Sequence, residues 1–447
     1  AERVVRPDID HVQVHQGCQT HGGFHIVGED KEGAAGADDA AVIVTSGKID
    51  ELNIDGGEFS LMRSGFKSGL SLKAIKEQKT GNIHTNSCEK EAIDAAVKDC
   101  MAAVMAAQPD EAESIAPKAE NMSFTAGVLT PDRDKLFDRL QEYMDTLHTE
   151  YPKINMEQLI AKYDHDDILL MNTNGVEMRY QNGGYIISTM FSAHEGEKAG
   201  SFNGTGYLTD RLDQPLMETG MMRRLLRDAE ADLTAAPIPE KFEGTLLVSP
   251  AFMGEFLGTA LGCYAGDYAL ISDTSIWKDK LGQRVASSGI TLETRPLDER
   301  IICGERFDSN GYKSENSVIL RDGVLESFCL SEYAARKTGQ KRAANQSGAY
   351  FLHPGEQSLE EIIAGIKNGI LINRFSGGQP GASGDFNGVA KNSFLIKDGK
   401  LAGAVTETMI SGNFAELLKN LRGISRETVC DGYSVLPWAA FDGIIAK

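Results

Sequence analysis

The sequence predicts an α+β protein of two domains, an N-terminal antiparallel sheet with helices followed by a larger, sheet-rich C-terminal domain. Three observations carry this. From Ala40 onward, AAVIVTSGKIDELNIDGGEFSLMRSGFKSGLSLKAI gives β-branched runs punctuated by Gly, the pattern of an antiparallel meander. Two segments, 89–108 and 132–151, carry helical rather than strand patterning. A proline-bearing seam, Ala235-Ala236-Pro237-Ile238-Pro239, then opens a half in which hairpin signals dominate. The expected division is an atypical segment 1–36, a domain 37–234 and a β-rich domain 235–447.

Residues 1–36 are rich in Gly, His and charge and show no periodicity, so no element is assigned there. In 89–108, Ile93, Ala96, Val97, Cys100, Met101, Val104 and Met105 recur three and four apart, which predicts a helix packed on the first sheet. Residues 109–124 are acidic and unpatterned and read as a linker. The next helix stops at Pro152. Residues 168–171, the Asn174-Gly175 turn and 185–191 read as further strands, and 213–233 is helical by composition. Past the seam, 244–248 is a buried-type strand. Ser249-Pro250 then supplies an N-cap and an N1 proline for a helix reaching Tyr264. Asp322-Gly323 joins 317–320 to 324–330 in a hairpin, and Asp398-Gly399 does the same for 394–396 and 401–405. Ser358 and Glu361 form a capping box for a helix over 359–367, with Gly369 as its stop.

The chain has 447 residues and a net charge of −20, with no local concentration of Lys or Arg. Such a field repels a phosphate backbone, so no nucleic-acid partner is expected. No run approaches the roughly 18–20 apolar residues that span a bilayer, and no basic-then-apolar leader opens the sequence. A cytoplasmic protein without a membrane partner is expected. Seven scattered cysteines without a CxxC argue for reduced thiols.

Three constellations invite chemistry. His11, His15, Cys18, His21 and His25 resemble a zinc knuckle, but their spacing and the lack of strand or helix signals around them favour an irregular segment. His194-Glu195 is the only HE pair, and Lys198 and Ala199 stand where a zinc-protease helix needs its second His, so a solvated hairpin turn is the simpler reading. His353-Pro354 gives no more support to a catalytic His. The Gly-rich stretch 376–384 is followed by a β-type run rather than a helix, which argues against a phosphate loop. Gly377, Gly378, Gly381, Gly384 and the adjoining Asp385 either form a plain structural loop or let an extended peptide approach the backbone. No GxSxG or comparable nucleophile motif is present.

The stretch 373–420, NRFSGGQPGASGDFNGVAKNSFLIKDGKLAGAVTETMISGNFAELLKN, resembles the C-terminal domain of the TldD/PmbA family, metalloproteases formerly called modulators of DNA gyrase. LGQRVASSGITLE, DGVLESF, HPGEQSLEEII and the meander around GFKSGLSLKAI extend the resemblance from about Ala37 to the end. The first 36 residues lack the amphipathic helix with which such proteins usually open. The resemblance implies that the helix after Ser249 is where the catalytic TldD branch carries HExxxH, with a cysteine near the C-terminus completing a zinc site. Laid onto that motif, Gly258 stands at the first His, Thr259 at the general-base Glu and Cys263 at the second His, while Cys430 lies near the ligand cysteine. First and sixth helical positions lie about 140° apart, so the motif itself needs a local bulge or helix end. Cys263 and Cys430 are therefore expected as neighbours left from a vestigial site, either as buried thiols or as metal ligands.

This pattern is similar to the PmbA branch, also called TldE. It implies a non-catalytic subunit, with no catalytic residue, metal or cofactor of its own, of a cytosolic zinc protease acting on small or unfolded peptides. Zinc would sit in a TldD-type partner, in a heterodimer, or the chain would pair with itself. One alternative is an active homodimeric metallopeptidase with a metal site rearranged around Cys263 and Cys430. Another is a modulator that binds DNA gyrase directly, against which the charge argues.

Overall fold

A computed structural model describes residues 11–13, 25–27, 36–406 and 408–447. Two short strands, β1 (His11–Gln13) and β2 (His25–Val27), pair antiparallel. The rest of the predicted zinc-knuckle segment, His15, Cys18 and His21 included, lies outside the described residues.

The first sheet contains β3 (Asp39–Asp55), β4 (Glu58–Lys76), β5 (Lys79–Thr85), β6 (Met122–Gly127), β7 (Ile154–Asn172), β8 (Glu177–Glu195), β9 (Lys198–Ala199) and β10 (Asn203–Thr209). Its order is β10-β8-β7-β3-β4-β5, all antiparallel, while β6 adds to β8 in parallel. The longest strands exceed the apolar runs in the sequence because β3 and β7 run from one core to another. Near one end Val42, Val44, Leu70 and Leu72 pack on α1 (Lys90–Ala106) through Ile93, Ala96, Cys100 and Val104. Met105, expected on that face, is 65% exposed. Near the other end Leu52 and Ile54 face α2 (Arg133–Glu150), whose N-cap Asp132 accepts the Lys135 amide. Between these cores the strands are polar: Asp164 and Asp166 of β7 pair with Lys67 of β4, and Asp167 pairs with Arg179 of β8.

The linker expected over 109–124 is not free, and its last residues, 122–124, open β6. Ala112, Ile115 and Ala116 are buried, and Lys73 pairs with Glu113 at 2.8 Å. The segment also reaches the second half of the chain: Asp110 accepts the Tyr333 hydroxyl and pairs with Lys337, and the Ala116 amide donates to Asn310. Of the predicted helix over 213–233, only a 3-10 turn (Leu216–Glu218) and α3 (Met222–Asp232) form.

The second sheet is mixed. It begins with β11 (Phe242–Val248), α4 (Pro250–Tyr264), α5 (Asp267–Ile271), β12 (Leu292–Thr294), β13 (Ser317–Arg321), β14 (Val324–Leu325), α6 (Glu332–Thr338) and β15 (Tyr350–Leu352). It continues through α7 (Leu359–Ala364), β16 (Asn368–Ile372), β17 (Arg374–Gly377), β18 (Asp385–Lys391), β19 (Ser393–Lys397) and β20 (Lys400–Val405). It ends with β21 (Thr408–Asn413), α8 (Phe414–Lys419), β22 (Leu421–Cys430) and β23 (Val435–Ala446). The order is β14-β13-β12-β15-β23-β11-β16-β19-β20, and β17-β18-β21 rejoins at β23, which also pairs with β22. The capping box of α7 is present, but the helix ends at Gly365 and the predicted stop, Gly369, pairs with Thr245 inside the sheet. The Asp322-Gly323 hairpin forms with a second strand of two residues rather than the seven expected.

The two sheets share one apolar core. Leu140, Tyr143 and Leu147 of α2 and Leu225 and Leu226 of α3 join Leu247, Leu371, Phe394, Trp438 and Ala440 of the second sheet in one cluster. Leu140 is fully buried there. Leu140→Ala should therefore cost about 2–5 kcal/mol and lower the melting temperature of both halves together in one calorimetric transition. Two separate transitions, with only the first moved, would show that the halves are energetically independent.

Candidate functional site

Helix α4 follows β11 without a loop because Ser249 is extended and Pro250 takes the N1 position. Contrary to the sequence expectation, the Ser249 side chain makes no capping bond. Phe252, Met253, Phe256, Leu257, Ala260, Leu261 and Tyr264 are buried along one face, and Phe256 stacks on Phe441 at 5.2 Å between centroids. The opposite face is small and partly open: Ala251, Glu255 and Gly262 are exposed, while Gly254, Gly258 and Thr259 are half-buried.

Gly258 and Thr259 thus lie on the less buried side of the helix. A Cβ at Gly258 would lie 3.5 Å from the Tyr350 hydroxyl, ordinary contact. Glycine offers no ligand atom and threonine no carboxylate. Cys263 is half-buried, its thiol 3.9 Å from the Gly381 carbonyl and pushed up in pKa by burial. Cys430 donates to the Arg300 carbonyl and accepts the Gly432 amide, both at 3.5 Å, and burial pushes its thiol up as well.

Cys263 and Cys430, expected as neighbours, pack against different apolar clusters. Cys263 packs on the cluster around α4 together with Tyr350, whereas Cys430 packs with Phe351, Ile301 and Val435. Zinc needs four donors, three from protein even in a catalytic site, and these residues do not fit it. Among the described residues no group of three or more His, Cys, Asp or Glu could hold a metal.

The Gly-rich loop joins β17 to β18 at the C-terminal end of α4. The Tyr264 hydroxyl donates to the Ser383 carbonyl at 2.9 Å and accepts the Ala415 amide at 3.1 Å. Gly384, at φ +81, has no room for a side chain, since a Cβ would fall 1.7 Å from that hydroxyl. Asp385 accepts from Asn413 at 2.8 Å and Ser383 at 2.7 Å, and these bonds hold its carboxyl below the usual range. Gly384 and Asp385 are therefore engaged in holding the loop, and the Gly381 carbonyl accepts the Gly384 amide. Gly377 is pressed by the Phe375 ring, while Gly378 has open space around it. β17 pairs only with β18 among the described residues, so its other edge is unpaired, and Arg374, Ser376 and Gly377 are exposed.

The other histidines singled out in the sequence serve structure. His194 lies 2.9 Å from the Ser192 hydroxyl, and Glu195 pairs with Lys153 beside the turn at Gly196. His353 bonds Glu293 at 2.7 Å, and Glu293 is also held by Arg295. The sequence reading missed Tyr264 as the anchor of the Gly-rich loop. Its position one residue after Cys263, at a helix end, gave no signal of a partner over a hundred residues away.

Two glycines separate packing from propensity. Gly262→Ala meets open space and should stabilise the helix by about 0.5–1 kcal/mol, whereas Gly384→Ala should destabilise the protein and free the loop, both read from denaturant midpoints. Because thiolate is the nucleophile and burial holds both thiols mostly protonated, iodoacetamide should modify Cys263 and Cys430 slowly at neutral pH, with rates rising only above the ordinary thiol pKa. Modification at neutral pH as fast as that of a free thiol would contradict the burial argument.

The chain matches two domain families, the PmbA/TldA metallopeptidase C-terminal domain over residues 242–446 and PmbA/TldA metallopeptidase domain 1 over residues 40–107. A metalloprotease of Methanothermobacter thermautotrophicus is 30% identical over 277 residues, an alignment that spans 58% of this chain and 59% of that protein. The solved structure of TldE from Thermococcus kodakarensis superposes with a TM-score of 0.75 at 19% identity, over 92% of this chain and 97% of the other. A Bacteroides thetaiotaomicron structure, named as a candidate modulator of DNA gyrase, gives 0.78 at 22% identity over 92% and 95%. With both sheets and the helix after Ser249 arranged as above, the chain belongs to the PmbA/TldD metallopeptidase family.

Proposed function

We propose that this chain is the non-catalytic, PmbA/TldE-like subunit of a cytoplasmic TldD/TldE-type peptidase. The carrying observation is the accessible face of α4, where Gly258 and Thr259 stand in place of a metal ligand and a general base. No proton can be taken from a metal-bound water by a threonine hydroxyl at neutral pH, so the chemistry belongs to another chain. Zinc would reside in a TldD-type partner, held by that partner's own ligands, and would there supply the Lewis acid. This chain's contribution would be to hold small or unfolded peptide substrate in extended form. The unpaired edge of β17 supports that role, because a strand edge binds a peptide through its backbone without choosing its sequence. Gly377 and Gly378 keep that edge free of bulk at its end, so a peptide backbone can come close.

Tag-free protein purified without chelator should carry well under one zinc per chain by elemental analysis, and alone should show no EDTA-sensitive peptidase activity. Near-stoichiometric zinc lost in Cys263→Ser or Cys430→Ser, together with such activity, would replace this reading with that of a self-sufficient homodimer. Once reconstituted with a TldD-type subunit, Gly378→Pro should lower peptide turnover by about tenfold, chiefly through KM. Full activity in that variant would remove β17 from substrate binding and leave the subunit assignment untouched.

A further inference from the structure

Strand β4 is 19 residues long, but β5 pairs only with its last part, Leu70–Lys76. From Glu58 to Gly69 the side of β4 away from β3 has no partner among the described residues. A free edge of that length, about 40 Å, is a template for pairing with another chain. Edges are ordinarily blunted by proline, by unpaired charge or by a covering element. No proline stands in 58–69, and residues 58–66 are exposed without a break. Its cations are neutralised within the chain: Arg63 pairs with Glu51 at 3.0 Å, and Lys67 with Asp164 and Asp166.

The side chains along this edge are apolar where water should favour polar ones. Met62 is 67% exposed and Phe66 82%. Opposite residues of a ladder share a face. Met62 lies opposite Leu52 and Phe66 opposite Lys48, so both stand on the face that carries α2. On that side Phe59 stacks on Phe137 of α2 at 4.8 Å, and both rings remain exposed. An unpaired backbone edge and a run of exposed apolar side chains on one strand together mark an interaction surface.

We propose that this edge pairs with the same edge of a second copy of the chain, antiparallel about a two-fold axis through Ser64, so that the two first sheets become one. A two-fold axis normal to a sheet keeps every residue on its own face and therefore passes through a residue position. The regular stretch runs from Leu61 to Lys67. Before it the register of β4 on β3 skips Ser60, and after it the Ser68 hydroxyl donates to the Asn86 carbonyl at 2.6 Å, which closes the edge. An axis through Met62 or Phe66 runs the pairing into one of these interruptions. An axis through Arg63 opposes two guanidiniums, and one through Gly65 opposes Arg63 to Lys67 of the copy; like charges directly opposite are destabilising. An axis through Ser64 avoids both faults. It sets Met62 against Phe66 of the copy twice over, a sulfur–aromatic contact that covers the most exposed ring of the edge.

The test is the mass of the isolated full chain by light scattering at micromolar concentration, expected at twice that of one chain. Phe66→Lys, at an exposed position, should weaken the dimer by about tenfold or more while melting like the wild type. Directly opposed residues lie about 4.5–5.5 Å apart between Cα atoms, within disulfide reach. Ser64→Cys should therefore give a disulfide-linked dimer on mild oxidation, whereas Met105→Cys, exposed on α1, should not. A monomer would overturn the proposal and leave the edge to an extended peptide or a different chain. A dimer unmoved by Phe66→Lys, or Ser64→Cys linking no faster than Met105→Cys, would overturn it as well. A dimer without zinc or activity satisfies both this proposal and the subunit assignment, and a zinc-free monomer fails this one alone.

Discussion

The apolar core shared by α2, α3 and one face of the second sheet sets the geometry of everything that can bind a ligand here. Leu140, Tyr143 and Leu226 from one half meet Leu247, Leu371 and Trp438 from the other in a single cluster. Interiors at this packing density tolerate little sliding. The edge strand β10 and the first residue of β17 therefore face one cavity, although they belong to different sheets. The segment 109–121 adds a second tie through Asp110, Tyr333 and Lys337, at the far edge of the first sheet near Gln78. Two ties at separate places resist hinge motion better than one, so the cavity is a fixed feature of the chain.

Helix α4 combines a closely packed apolar face with an open face of small residues. Three glycines in its interior cost about 3 kcal/mol relative to alanine, yet seven apolar side chains on its other face are buried. At roughly 1.5–3 kcal/mol for each large side chain buried, the packing outweighs the propensity several-fold. The helix is therefore fixed by its buried face, and the residues on its open face are free to vary without loss of fold. That separation lets Gly258 and Thr259 stand on the open face without bearing on the packing that holds the helix.

What the sequence made legible was local. The capping box of α7, the Asp398-Gly399 hairpin and the Pro250 start of α4 depend on residues within a few positions of one another, and all three form. The long strands were read as short ones because their middles, Ser46 to Lys48 and Asp164 to Asp167, are polar. These stretches are stabilised by cross-strand partners such as Lys67 and Arg179 rather than by burial. The segment 109–124 was read as a linker for a related reason: its anchors, Tyr333 and Asn310, lie about two hundred residues away. At the candidate site, the substitutions at 258, 259 and 263 were visible in the letters. That Cys263 and Cys430 pack against different clusters was not, because those clusters are assembled from residues far apart in the sequence.

The same distinction applies to the glycines of the loop after β17. Composition marks Gly377, Gly378, Gly381 and Gly384 as equivalent, but their surroundings do not. Gly384 is fixed by the Tyr264 hydroxyl, and a side chain there would break a bond network that joins α4, α8 and the loop. A side chain begun at Gly378 would meet nothing within 4 Å among the described residues, so its smallness has no packing reason there. Where a glycine is demanded by neighbours it belongs to the fold, and where space is left open beside an unpaired strand edge it is available to a partner. Tyr264 links the two cases: by fixing one end of the loop, it holds β17 with its free edge outward, next to the cavity at the opposite end of the same helix.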